Sequence, residues 1–154
     1  MSADSSDNTA SDNAEIDLAS GIAAFEAKHF PRAMQLLSPA AEQGNPQAQH
    51  MLAIMYQNGL GVVQSDMAAY KWMRDSAEQD YALAQHGIGF MYLEGECIVK
   101  NGAKAAEWFT KAADQGLQGS MTTLAMMYQQ GKGVEQNQEE AQRLFKLAGF
   151  DEMI

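Results

Sequence analysis

The segment ALAQHGIGFMYLEGECIVKNGAKAAEWFTKAADQGL, residues 82–117, has a counterpart on either side of it in the chain. Residues 46–81 and 118–153 align with it without a gap, so that three blocks of 36 residues follow one another. The positions that all three blocks share hold tyrosine, glycine or alanine: Tyr56, Tyr92, Tyr128, Gly59, Gly95, Gly131, Ala69, Ala105 and Ala141. A fixed period of this length is typical of helical repeats that stack on their neighbours. The sequence therefore predicts an all-α protein built of repeated helix pairs.

Each block follows one plan of helix, glycine-containing loop and helix. The first helix of each pair, helix A, is predicted over about 46–57, 82–93 and 119–130. A glycine follows each of these helices, at the position where a helix end commonly needs a left-handed residue. The second helix of each pair, helix B, is predicted over about 65–79, 102–115 and 138–147.

Two further segments precede the three blocks. Residues 14–45 carry Leu18, Ile22 and Phe25 at roughly helical spacing, and Pro31 then opens a second predicted helix. Residues 1–13 are rich in Ser, Asp, Asn and Ala and contain no aromatic residue. We expect them to form a disordered acidic tail, because such a segment cannot bury enough apolar area to offset the loss of chain entropy.

The composition limits the classes of partner. The net charge is −10, and the basic residues are scattered along the chain, which argues against nucleic acid and anionic membranes and favours a basic protein partner. Cys97 is the single cysteine, so an internal disulfide framework and a cysteine-based zinc site are excluded. No apolar run approaches membrane-spanning length, and we expect no membrane insertion. The N-terminus has no signal-peptide pattern, which predicts a cytoplasmic location, or a periplasmic or secreted one if a leader has been removed.

The repeated motif carries a specific resemblance. It reads AQHMLAIMYQNGLGV over residues 48–62, and AADQG ends helix B over residues 112–116. These features resemble the Sel1-like repeat of the tetratricopeptide superfamily, and residues 14–45 resemble a tetratricopeptide-type hairpin. The resemblance implies a right-handed α-solenoid of antiparallel helix pairs, with Sel1-like repeats at 46–81, 82–117 and 118–154. The last repeat has a degenerate C-terminal end, and Cys97 replaces the second loop glycine of the middle one.

The resemblance also implies a binding surface, since helix A of each pair lines the concave face of such solenoids. The outward positions of these helices are our candidate partner-binding residues: Ile22, Phe25, Gln47, His50, Ile54, Asn58, His86, Phe90, Leu93, Glu94, Thr122, Met126 and Gln129. Apolar members would anchor a partner, and the polar members around them would fix its register. The alternative is that curvature of the array buries the apolar members as ordinary core.

Other chemistry receives little support from the sequence. His50 and His86 are in register, but no carboxylate or cysteine joins them at fixed spacing, so we predict no metal site and no cofactor. No arrangement of nucleophile and base typical of an enzyme is apparent.

We therefore expect a non-enzymatic adaptor or scaffold that binds a partner polypeptide on the helix-A face. One alternative is a β-lactam-binding or β-lactam-hydrolysing protein, as suggested for cysteine-rich Sel1-like proteins, although this chain has one cysteine and no Ser-x-x-Lys. Another is a self-associating module, which would form a homo-oligomer through Leu144, Phe145 and Leu147 of the C-terminal repeat.

Overall fold

The computed structural model describes residues 3–150, with side chains from Asp12 onward. This part of the chain is all-α and contains no strand. Its helices are α1 Ala3–Glu26, α2 Phe30–Glu42, α3 Pro46–Asn58, α4 Asp66–Ala77, α5 Ala82–Glu94, α6 Gly102–Asp114, α7 Gln118–Gln130 and α8 Gln138–Leu147. The predicted class, an α-solenoid of helix pairs, is confirmed. The chain forms two compact units, an N-terminal unit and a C-terminal unit. The boundary between them falls between Trp72 and Met73, inside α4.

The prediction of a disordered tail at residues 1–13 does not agree with the structure, in which α1 begins at Ala3. Residues 3–20 contain neither proline nor glycine, so nothing in the covalent structure stops the helix that starts near Ala14 from continuing backwards. Local continuity of the helix, rather than burial of apolar area, accounts for the difference. Met1 and Ser2 lie outside the described residues.

The N-terminal unit packs α2 between α1 and α3. Its core consists of small and aliphatic side chains on three helices: Ala24, Ala33, Leu37, Ala41, Ala48, Met51, Leu52 and Met55. Gly21 lets α1 approach α2 closely, because a Cβ there would lie 2.7 Å from a methyl carbon of Leu37. Pro31 occupies the first turn of α2, as predicted.

The C-terminal unit packs α5 on α6, α6 on α7, and α7 on α8. Phe109 of α6 is fully buried, and its ring lies so close to α5 that a Cβ on Gly89 would be 2.8 Å from it. Other members of this core come from all four helices: Ile88, Met91, Ala105, Ala112, Leu124, Met127, Ala141, Leu144 and Phe145. This core positions the outer faces of α5 and α7, where the candidate surface lies.

The two loops of this unit keep the same backbone conformation despite a sequence difference. Gly133 has φ +77 and lies against the backbone of Gly102, so that a Cβ would be 2.5 Å from that residue's carbonyl carbon. Cys97 stands at the equivalent position and also adopts a left-handed conformation, with φ +65. The departure from the repeat pattern therefore leaves the loop conformation unchanged and places a β-carbon in a strained region of the backbone map.

Candidate protein-binding surface

Charge is unevenly distributed between the two kinds of helix in the C-terminal unit. The sequence of α7 contains no charged residue, and that of α5 contains Glu94 alone, at its last position. The helix-B elements α6 and α8 carry the charges instead: Lys104, Glu107, Lys111, Asp114, Glu139, Glu140, Arg143 and Lys146. The outer side of α5 and α7 is therefore close to electrically neutral in a chain with a net charge of −10.

Three apolar side chains are exposed on these two neutral helices. Leu83 and Phe90 on α5 are 46% and 37% exposed, and Met126 on α7 is 46% exposed. Leu83, His86 and Phe90 share one face of α5, because they are three and four residues apart. Phe90 and Met126 hold the same repeat position on their helices. We call Leu83, His86, Phe90 and Met126 the α5–α7 surface.

His86 joins the two helices at the centre of this surface. Its Nδ1 atom lies 2.7 Å from Oγ of Ser120 on α7. The imidazole also meets the rings of Phe90 and Phe109 edge-on, with centroid distances of 4.9 and 5.5 Å. Burial lowers the pKa of His86 below its ordinary value, so the ring is neutral near pH 7. Three contacts thus fix an uncharged imidazole among apolar neighbours.

The remaining predicted residues of the C-terminal unit take different positions. Leu93 is 6% exposed and belongs to the core, so its prediction as a surface residue was wrong. It follows Phe90 by three residues and lies in the last turn of α5, where the fold encloses it. Glu94 and Gln129 are exposed, while Thr122 is half-buried and donates its hydroxyl hydrogen to the carbonyl of Gln118.

The predicted residues of the N-terminal unit are less accessible. Ile22 and Phe25 are half-buried against the core of that unit, so there they act in packing, which was the alternative left open by the sequence. Gln47, His50 and Ile54 are also half-buried. Burial lowers the pKa of His50 to about 4. Asn58 is exposed, and its amide donates to the carbonyl of Ile54 at the end of α3.

Two residues that matter for the surface were missed by the sequence argument. Ser120 is fully buried and occupies a position that holds alanine in the two preceding repeats, Ala48 and Ala84. Gly119 lies beside the imidazole of His86, where those repeats hold Gln47 and Leu83. The sequence signal that could have identified Ser120 is a polar residue at a position that holds alanine in the other repeats.

The arrangement of His86 and Ser120 is not that of a catalytic pair. Ser120 is completely enclosed, so its hydroxyl cannot reach a substrate from solvent. Among the described residues, no group of three or more His, Cys, Asp or Glu side chains is placed to hold a metal ion. No helix in the same part of the chain combines the length and the apolar character that a membrane span requires.

The C-terminal helix α8 corrects one further expectation. Leu144 and Phe145, predicted to be exposed for self-association, are both buried in the core of the unit. Leu147 is exposed, as predicted, at 56%. Leu144 and Phe145 lie in the part of α8 that packs within the unit, whereas Leu147 is the last residue of the helix.

The helix pairs repeat every 36 residues, and the loop within each pair contains residues with a left-handed backbone conformation. These features define a helical repeat protein of the solenoid class. The family model of the Sel1 repeat matches residues 30–45, 46–81, 82–117 and 120–149. The chain therefore belongs to the Sel1 repeat family. Two matched segments have the bounds read from the sequence, and the first takes in the second half of the hairpin at 14–45. Sel1 repeat proteins generally mediate protein–protein interaction, and their scaffolds are typically non-enzymatic.

Solved structures give the same result. A Sel1 repeat protein from Oxalobacter formigenes is 32% identical, with a TM-score of 0.81, over 86% of this chain and 53% of that one. A protective antigen present in uropathogenic Escherichia coli strains, which displays an SLR fold, is 31% identical, with a TM-score of 0.83, over 88% of this chain and 30% of that one. The cysteine rich protein B of Helicobacter pylori shares the fold at 21% identity and a TM-score of 0.61, over 78% of this chain and 86% of that one.

The chain thus spans about half of the Oxalobacter protein and under a third of the Escherichia coli antigen. A comparison with curated proteins found no significant match.

Proposed function

We propose that this chain is a non-enzymatic adaptor that holds a segment of a partner protein on the α5–α7 surface. The observation that carries the proposal is the exposure of Leu83, Phe90 and Met126 on two helices that together hold one charged residue. Large apolar side chains are usually buried, and a cluster of them on a neutral face is typical of a contact surface.

Burial of these side chains supplies part of the binding energy. Leu83, Phe90 and Met126 are already more than half covered in the free chain, so each contributes about half of the 1.5–3 kcal/mol of a fully exposed side chain. Contacts of the partner with the rest of the surface add to them and offset the cost of ordering both chains. The net charge of −10, which lies almost entirely outside α5 and α7, would speed the approach of a basic partner without touching the contact itself.

The test compares two sets of exposed apolar residues in the C-terminal unit. The full chain is used as bait in extracts of the cells that express it, as wild type and as the double variant Phe90→Ala/Met126→Ala. The matched control is Leu147→Ala/Val99→Ala, which removes two exposed apolar side chains from α8 and from the middle loop. We expect the first variant to lose the partner by at least about tenfold and the control to retain it.

The control should melt like the wild type, whereas Phe90→Ala/Met126→Ala should melt at a lower temperature, because Phe90 packs on His86 and Phe109. Binding is therefore compared at a temperature at which circular dichroism shows all three proteins to be folded. Retention of the partner by Phe90→Ala/Met126→Ala, or its loss in the control variant, would show that binding uses another part of the chain.

A further inference from the structure

We propose that the α5–α7 surface binds a main-chain carbonyl of an uncharged, apolar partner segment through the Nε2–H group of His86, and that Ser120 acts as the positioning residue for this donor. The inference rests on the proposed function and names the chemistry of the partner. It concerns a hydrogen bond at the centre of the surface, between the apolar side chains that flank it.

The tautomer of His86 follows from the burial of Ser120. The Ser120 hydroxyl is fully enclosed, and a buried hydroxyl hydrogen needs an acceptor. Nδ1 of His86, at 2.7 Å, is the acceptor within reach in the described part of the chain. When Nδ1 accepts this hydrogen, the proton of the neutral imidazole resides on Nε2. The opposite tautomer would place two hydrogens between Nδ1 and Oγ or leave the hydroxyl hydrogen unsatisfied.

A glycine lies beside the Nε2 edge of the ring. A Cβ on Gly119 would lie 3.4 Å from Cε1 and 3.7 Å from Nε2 of His86, so any longer side chain at this position would cover the donor. The equivalent positions of the preceding repeats hold Gln47 and Leu83. Glycine at this one position of the third repeat therefore gives a partner access to the imidazole.

The ring is also held in place before a partner binds. Phe90 and Phe109 contact the imidazole edge-on, and these two phenylalanines meet each other at a centroid distance of 5.1 Å. A donor whose orientation is already fixed loses little entropy on binding. Apolar surroundings also strengthen a hydrogen bond relative to one in water.

The neutrality of the surface selects the acceptor. Neither α5 nor α7 contains a lysine or arginine, so a carboxylate acceptor on the partner would find no cation on these helices. Glu94 is their only charged residue and would repel an acidic segment further. A main-chain carbonyl flanked by apolar side chains satisfies the donor and also covers Leu83, Phe90 and Met126.

The tautomer can be tested on the free protein, independently of any partner. Long-range ¹H–¹⁵N spectra of the full chain, with His86 assigned by its loss in His86→Gln, should show the proton on Nε2. Ser120→Ala should give a mixture of tautomers while the fold persists, because alanine is fully buried at the equivalent positions 48 and 84. A proton found mainly on Nδ1 would overturn the inference and leave the proposed function intact.

The partner chemistry is tested with a phage-displayed library of random peptides selected on the full chain. We expect apolar, uncharged peptides to be enriched, with binding reduced about tenfold by His86→Phe, restored by His86→Gln, which keeps a donor at the same reach, and blocked by Gly119→Leu. Enriched peptides that bind His86→Phe as tightly as wild type would overturn the inference alone, and so would enrichment of acidic peptides. No enrichment over Phe90→Ala/Met126→Ala would overturn both proposals.

Discussion

The second and third repeats of the C-terminal unit share a frame and differ in what their outer faces expose. In both repeats an asparagine caps helix B, since the side chains of Asn101 and Asn137 accept hydrogen bonds from the backbone N–H of the third residue of α6 and of α8. Both bury a phenylalanine at the same position, Phe109 and Phe145. These in-register residues set the helix ends and the core of each pair.

The difference lies at positions that a neighbouring helix covers in one repeat only. Leu93 is buried in the second repeat, whereas its equivalent Gln129 is exposed in the third. Ala106 is buried on α6, which packs against both α5 and α7, whereas its equivalent Gln142 is exposed on α8. The positions that both repeats share therefore specify the helix pair. At the positions that differ, the residue is apolar where other helices cover it and polar where it is exposed.

The largest expected effect comes from the two buried phenylalanines. Phe109→Ala should lower the free energy of unfolding by about 3–5 kcal/mol, because it leaves a cavity between helices packed on both sides of α6. Phe145→Ala should cost less, about 3 kcal/mol, because α8 packs extensively against α7 alone among the described helices, whereas α6 packs against both α5 and α7. Urea unfolding followed by circular dichroism measures both values. Equal costs would mean that the two repeats are packed alike.

An exchange of residues between the repeats tests the difference directly. Leu93→Gln should destabilise the chain by about 2–4 kcal/mol, since it removes buried apolar surface and encloses an amide without prepared partners. Gln129→Leu, its reciprocal, should change stability by less than about 0.5 kcal/mol, because position 129 is exposed. The same denaturation experiment serves for both. A large effect of Gln129→Leu would indicate that this position is not exposed in solution.

The stability of the fold should depend on pH through the histidine position of the repeat, which His50 occupies in the first repeat. Burial lowers the pKa of His50 to about 4, from about 6.5 in an unfolded chain. The unfolded state therefore binds more protons between these values, and the stability from neutral His50 is complete above about pH 6.5 and is lost as pH falls towards 4. The loss amounts to at most about 3 kcal/mol.

The variant His50→Thr carries the residue that the third repeat has at position 122. Its stability should depend less on pH between about pH 4 and pH 6.5 than that of the wild type. Exposed His29 provides the control, and His29→Gln should leave the dependence unchanged. The measurement is the melting temperature of each variant from pH 4 to pH 7. If the melting temperature of His50→Thr changes with pH as steeply as that of the wild type, groups other than His50 cause the dependence.

The smallest effect concerns the two loops. Gly133→Ala should cost about 2 kcal/mol, because its β-carbon meets the backbone of Gly102 and its φ is positive. Cys97→Gly should change stability by less than about 1 kcal/mol, since relief of the left-handed strain is offset by greater freedom of the unfolded chain. A strong stabilisation by Cys97→Gly would show that the middle loop stores more strain than its backbone conformation suggests.

Much of the fold was predictable from local features. The helix-A ends at Gly59, Gly95 and Gly131 follow from a glycine at each left-handed position. The candidate surface was predictable only in part, because Phe90 and Leu93 belong to the same short segment and nothing in their spacing distinguishes the exposed residue from the buried one. The hydrogen bond between His86 and Ser120 joins residues 34 positions apart, beyond any local pattern.

The sequence by itself determined the period, the class of fold and the approximate boundaries of the helices in the 36-residue repeats, because capping, left-handed glycines and apolar spacing act within a few residues of the chain. The tertiary structure alone decided which helix-A residues face water. Burial depends on the helices that pack alongside, so Ile22 packs half-buried against a core while Met126 remains exposed. Ser120 of α7, at an alanine position of the repeat, holds His86 of α5.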